Sequence, residues 1–124
     1  MAIGLLAGLG GSALALVLPE PQRIVLAGAV LAAVGGAYLG FGVADGRASA
    51  IVVQAASFVA FALVAFVGIH LDSRILIGVG WIAHGVWDGL HYEGHGPTRV
   101  RPWYPPFCLV ADVAVGLPLV AGLV

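Results

Sequence analysis

Five stretches of this sequence, about residues 2–18, 24–44, 49–71, 75–92 and 107–124, are almost continuously apolar. Each approaches the ~20 residues a helix needs to cross the ~30 Å hydrocarbon core of a bilayer. Lipid offers no partner to backbone N–H and C=O groups, so runs of this length cross as α-helices, which satisfy those groups internally. The expected fold is therefore all-α: a polytopic transmembrane helical bundle forming a single domain, residues 1–124, with about five spans. The first and last stretches are short and Pro118 interrupts the last, so a four-span arrangement with one end only partly inserted stays open. Composition points the same way, with 61% hydrophobic and 9% charged residues against roughly 25% charged in soluble domains. Five basic and six acidic side chains are too few to coat a soluble core of this size.

The first three breaks, "PEPQR", "DGRAS" and "DSR", are short and polar, and each carries one arginine. They read as tight turns between antiparallel neighbours. The last break, "YEGHGPTRVRPWYPP", holds four prolines and reads as a loop, with Trp103 and Tyr104 as interfacial anchors. The N-terminal segment lacks the basic region of a signal peptide and reads as a retained first span. With five spans, Arg47, Arg99 and Arg101 share one face and Arg23 and Arg74 the other, which favours a cytoplasmic N-terminus and long loop. The absence of lysine and the alanine- and glycine-rich composition suggest a prokaryotic protein of the inner membrane. A net charge of −1 and no basic patch argue against nucleic acid as a partner. The single cysteine, Cys108, excludes an internal disulfide.

Nineteen glycines call for a packing explanation. Gly4/Gly8, Gly36/Gly40 and Gly85/Gly89 have the four-residue spacing that lets helix backbones approach closely in lipid. The same small-residue faces offer a route to a homo-oligomer.

The fourth stretch is not uniformly apolar. Within "WIAHGVWDGLHYEGH", residues 81–95, His84, Asp88 and His91 recur at i, i+4 and i+7 and share one helix face, with Trp81 and Trp87 flanking it. With the span ending near Tyr92, helical rise puts His91 at the interface, Asp88 roughly 6 Å in and His84 roughly 12 Å in. Asp112 on the last stretch returns to the same level, with Cys108 one turn before it, and Tyr38, Gln54 and Ser57 converge on the same leaflet. A charged side chain near the bilayer centre costs on the order of 2.5–3.5 kcal/mol. Three arrangements would neutralise these groups: mutual pairing in a structural polar core, a bound divalent metal, or proton-handling acid/base chemistry.

In the metal reading, His84, Asp88, His91 and Asp112 supply ligands for zinc, iron or manganese, and His95 closes the site from the loop. Asp88, Asp112 and His84 are then the catalytic candidates, and Trp81, Trp87, Tyr38 and Gln54 the substrate-binding ones. The aromatic wall suits an isoprenoid or acyl chain. Cys108 reads as a packing residue, and His70 as a snorkelling or capping residue at the opposite interface.

"GGAYLGFG", "RILIGVGWIAHGVWDGLHYEG" and "PFCLVADVAVG" together resemble a family of small bacterial and archaeal membrane proteins known only as domain-of-unknown-function family sixty-ten. The resemblance runs from about Val25 and is most specific between Trp81 and His91, departing at Tyr92, where a second histidine is expected. It implies that Tyr38, Trp81, His84, Trp87, Asp88, His91, Cys108 and Asp112 form one unit, and it lends no activity.

The functional expectation is a metal-dependent or acid/base enzyme, a hydrolase, isomerase or cyclase, acting on a lipid or other membrane-soluble small molecule. The rivals are a proton or metal-ion transporter or channel subunit, and a structural or assembly subunit. A transporter would need ionisable stations across the whole membrane, and the opposite leaflet has no matching set.

Overall fold

Each polar break in the apolar pattern ends one helix and starts the next. In the computed structural model, which describes residues 1–124, the helices are α1 (Ala2–Ala15), α2 (Glu20–Asp45), α3 (Ala48–His70), α4 (Arg74–Leu90) and α5 (Tyr104–Ala121), with one 3-10 turn at Tyr92–Gly94. There are no strands, so the expected all-α bundle stands. Local chemistry sets the ends. Gly46, at φ 79°, takes the left-handed conformation that closes α2, and its N–H bonds the carbonyl of Gly42. Ser73 caps α4 by accepting the Leu76 N–H at 3.2 Å.

Prolines separate the observed helices from the expected boundaries. Pro105 and Pro106, read as loop, lie in the first turn of α5, where a missing N–H is harmless, so the helix begins at Tyr104 and not at Phe107. Pro118 does not stop α5, which runs on to Ala121. Its absent N–H leaves the carbonyl four residues back, that of Ala114, without its helical donor. The buried Ser12 hydroxyl of α1 points at that carbonyl from 3.5 Å.

By length and composition α2, α3 and α5 can cross a membrane, and the chain is an integral membrane protein. With 14 and 17 residues, α1 and α4 fall short of the ~20 a full crossing takes. Helix directions nevertheless alternate as five consecutive segments require. Gly4 and Gly8 of α1 meet Phe107 and Ala111 of α5 in parallel order, whereas Gly78 and Gly85 of α4 meet Gly116 and Leu109 of α5 in antiparallel order.

Helix α4 occupies the middle of the bundle. It packs on α5, α3 and α2, α2 packs along α3, and α1 leans on α5 while barely touching α2. That position lets the inner face of α4 carry polar side chains, while Ile75, Val79, Val86 and Leu90 stay exposed on its outer face. Ile24, Leu31, Ala65, Ile77, Trp81 and Leu119 form the apolar core, weighted toward the half of the bundle where α2 and α4 begin. The polar side chains gather in the other half. Leu6, Leu63, Phe66 and Val79 are exposed on the outside, as lipid contact requires.

Close helix contacts rest on glycine. A β-carbon at Gly4 or Gly8 would collide with the carbonyl oxygens of Phe107 and Ala111, and one at Gly116 would lie 2.7 Å from the Gly78 carbonyl. Gly85 stands against Leu109 in the same α4–α5 seam. The third spaced pair differs: Gly36 meets only the Phe58 ring and Gly40 has no neighbour within 4 Å.

Gly116→Val is expected to lower stability by about 1–3 kcal/mol through overpacking, with Gly40→Ala as a neutral control. Denaturant melts in detergent, followed by circular dichroism, measure both.

Candidate functional site

Two polar clusters sit side by side where α2, α3, α4 and α5 converge. The first is built around Gln54 of α3, which is fully buried. Its amide nitrogen donates to His91 Nε2 at 2.9 Å and to Thr98 Oγ1 at 2.8 Å. Its carbonyl oxygen accepts from Trp87 Nε1 at 3.3 Å and from Ser57 Oγ at 3.1 Å. His91 Nδ1 donates to the carbonyl of Trp87 at 2.8 Å, which leaves Nε2 as the acceptor from Gln54. Every principal group in this cluster has a partner.

The second cluster contains Tyr38 of α2, His84 and Asp88 of α4, and Asp112 of α5. His84 Nδ1 donates to Asp112 Oδ2 at 2.6 Å and lies 3.4 Å from Asp88 Oδ2. The Phe61 and Tyr38 rings flank the imidazole, with centroids 4.8 and 5.9 Å away. Four buried atoms here have no hydrogen-bond partner: Tyr38 Oη, His84 Nε2 and both carboxylate oxygens of Asp88. Tyr38 and Asp88 are 0% exposed and His84 is 1% exposed. Leaving buried polar atoms unpaired costs ~1–3 kcal/mol each, and more for a charged group.

One ligand atom from each of His84, Asp88 and Asp112 falls within a sphere of mutual distances no larger than 4.8 Å. Bonds of ~2.0–2.2 Å to a common divalent ion place ligand atoms roughly 3–4 Å apart, so small side-chain adjustments would close the three onto one cation.

The remaining candidates fall elsewhere. His91 stands beside the group with both ring nitrogens occupied by Trp87 and Gln54. Gln54 and Trp87 belong to its closed network. Trp81 is buried in the apolar core and donates its indole N–H to the Ala27 carbonyl at 3.1 Å. Cys108 is half-buried, one turn before Asp112. His95 is exposed and bonds the Tyr92 carbonyl, so it does not close the site. His70 is exposed and stacks on Phe66.

The loop from His95 to Trp103 supplies what sequence reading missed. Thr98 is 1% exposed and reaches Gln54. Gly96 lies so close to the His91 ring that a β-carbon there would overlap it. Asp45 and Arg47, at the α2–α3 turn, hold this cover down. Asp45 accepts the Arg99 N–H at 2.8 Å and pairs with Arg47, whose guanidinium also reaches the Pro97 carbonyl at 3.3 Å. Glycines 94 and 96 were the only local hint, since nothing in a linear sequence pairs residue 45 with residue 99.

A model of a family of unknown function, DUF6010, matches residues 1–122. The chain belongs to that family. The match begins at the first residue, earlier than the expected Val25, so α1 is part of the DUF6010 unit together with the helices that carry both clusters. No curated protein and no solved structure matches this DUF6010 chain.

Asp45→Ala should release the cover without unfolding the bundle. Hydrogen exchange at the Arg99 amide should quicken roughly tenfold on loss of its charged acceptor, while α3 amides keep their protection. Gln54→Leu should lower the melting temperature, since it strands His91, Thr98 and Trp87 together; a shift of several degrees by scanning calorimetry is the expected result.

Proposed function

We propose that this protein is a prokaryotic inner-membrane enzyme whose centre is a divalent cation, zinc, iron or manganese, held by His84, Asp88 and Asp112, and whose substrate is a lipid or other membrane-soluble small molecule. The observation that carries the reading is the contrast between the two clusters. A purely structural core would have its bonds closed, as the Gln54–His91 network has. Asp88 instead holds two oxygens with no hydrogen bond and no exposure, one of them 3.4 Å from His84 Nδ1, beside His84 Nε2 and Tyr38 Oη, which also lack a partner. Such a buried carboxylate calls for a cation or a proton.

Three protein ligands leave coordination positions free, and a cation with an open position polarises a substrate oxygen or activates water. The Tyr38 hydroxyl stands ready to donate to an oxygen brought there. Asp88 or Asp112, if displaced from the metal, is the nearest base. The 2.6 Å His84–Asp112 hydrogen bond favours one alternative: metal-free acid/base chemistry, with the imidazole moving the proton and Asp88 carrying one of its own. A transporter gains no support from this arrangement, because the apolar core fills the other half of the bundle.

Elemental mass spectrometry of protein purified in detergent without chelators separates the readings. The expected result is near-stoichiometric zinc, iron or manganese in the wild type and loss of most of it in Asp88→Asn and His84→Ala, with Gln54→Leu retaining it. A metal-free wild type would sink the metal reading and leave the acid/base one.

A further inference from the structure

Because α1 leans on α5 and barely touches α2, a groove remains between α1 and α2. It encloses about 360 Å³, within the range of small-molecule pockets. Leu14 of α1 and Leu26, Val30 and Val34 of α2 line its sides. Leu14, Leu26 and Val30 are 70%, 43% and 40% exposed, so the groove opens sideways to the bilayer. Asp112 and Cys108 lie in its inner wall. Asp112 therefore borders both the groove and the polar site. A larger hollow of about 450 Å³, on α1 and α5 around Leu9 and Leu117, reaches no polar side chain at all.

The far rim of the groove carries one cation, Arg23, in the first turn of α2. Its guanidinium bonds the carbonyls of Leu18 and Leu16 at 2.7 and 3.4 Å, which fixes it at the membrane interface and leaves donors free. Glu20, on the same turn, pairs with Arg74 at 3.5 Å, so Arg23 keeps its charge without a carboxylate partner. Eleven residues separate Arg23 from Val34, roughly 16 Å along the helix, which matches the ~15 Å depth of one leaflet's hydrocarbon.

We infer that this groove binds one hydrocarbon chain of an anionic membrane lipid, with the head group at Arg23 and the far carbons beside Cys108 and Asp112. The inference rests on the proposed enzymatic reading and narrows its substrate class to chain-bearing anionic lipids that enter between α1 and α2. Charge decides the head group, and the largely apolar walls with a lateral opening decide the chain. A polar substrate from water would have to pass those walls or the latched cover.

The test uses the full chain reconstituted in phosphatidylcholine vesicles containing a small fraction of phosphatidylglycerol with a diazirine at the end of one acyl chain. After irradiation, labelled residues are mapped by peptide mass spectrometry. Labelling should concentrate between Cys108 and Asp112, several-fold above Leu63 and Phe66 on the exposed side of α3 and above Leu9 and Leu117 in the other hollow.

Gly11→Trp and Val30→Trp fill the groove from opposite walls; Gly11 has no neighbour within 4 Å to oppose the new side chain. Whichever keeps the wild-type melting temperature should lose that labelling, and Arg23→Gln should weaken it. Labelling spread evenly over lipid-facing residues, or unaffected by a folded groove-filling variant, would overturn the inference. So would equal labelling by a phosphatidylcholine version of the probe.

Metal content measured on the same samples separates the two readings. Groove labelling in metal-free protein would remove the metal and keep the chain. Bound metal without groove labelling would do the reverse. Asp88→Asn should lose metal and remain labelled.

Discussion

The contact on which the rest of the structure depends is the hydrogen bond between His84 of α4 and Asp112 of α5, 2.6 Å long and buried at both ends. At that depth neither group can reach water, so the two helices must approach closely enough for the side chains to meet. Glycine makes the approach possible. Gly78 and Gly116 face each other across the α4–α5 seam, and Gly85 lies against Leu109 one turn from Asp112. Small residues are used this way in membranes because lipid supplies no hydrophobic force to drive helices together. Here the return on close packing is a polar contact that would otherwise be prohibitively expensive.

The same logic explains why the shortest polar helix is also the central one. With α2, α3 and α5 around it, α4 presents His84 and Asp88 to protein on the side where lipid would penalise them most. Around those residues the bundle treats its polar groups in two ways. Gln54, His91, Trp87, Ser57 and Thr98 spend their donors and acceptors on one another and on the cover loop. Tyr38, Asp88 and the Nε2 side of His84 make no hydrogen bond. The closed network ties the end of α4 to α3 and the cover loop, and the open cluster beside it could hold a metal ion. Membership in DUF6010 over residues 1–122 brings α1 into the same unit, and α1 is the helix whose stance away from α2 leaves a path from the bilayer to Asp112.

Much of this was legible in the linear chain, and the exceptions have physical causes. Five apolar runs gave five helices because backbone hydrogen bonding in lipid leaves little choice. The i, i+4 spacing put His84 and Asp88 on one face, and counting rise along two antiparallel helices brought Asp112 to their level. The same count grouped His91 with them, but helical spacing fixes a side chain's face and not which donors meet its nitrogens; those come from Gln54 on α3 and from its own helix's backbone. Prolines misled because their effect depends on position: at Pro105 and Pro106, in the long break, they open a helix, and at Pro118, inside α5, a neighbouring serine approaches the carbonyl left without a donor. Thr98 and Asp45 carried no signal, since each acts across about fifty residues of chain.

Sequence alone determined the class of molecule, the rough extent of its helices, and that the polar side chains gather toward one end of the bundle. Those follow from local quantities: hydropathy, helical period and rise per residue. Tertiary structure decided which polar groups are spent on one another and which remain open, that the cover loop is latched by Asp45, and that a groove leads from lipid to Asp112. These depend on how helices lean and on which atom faces which across a contact, and that is settled only when the packing of all five helices is solved at once.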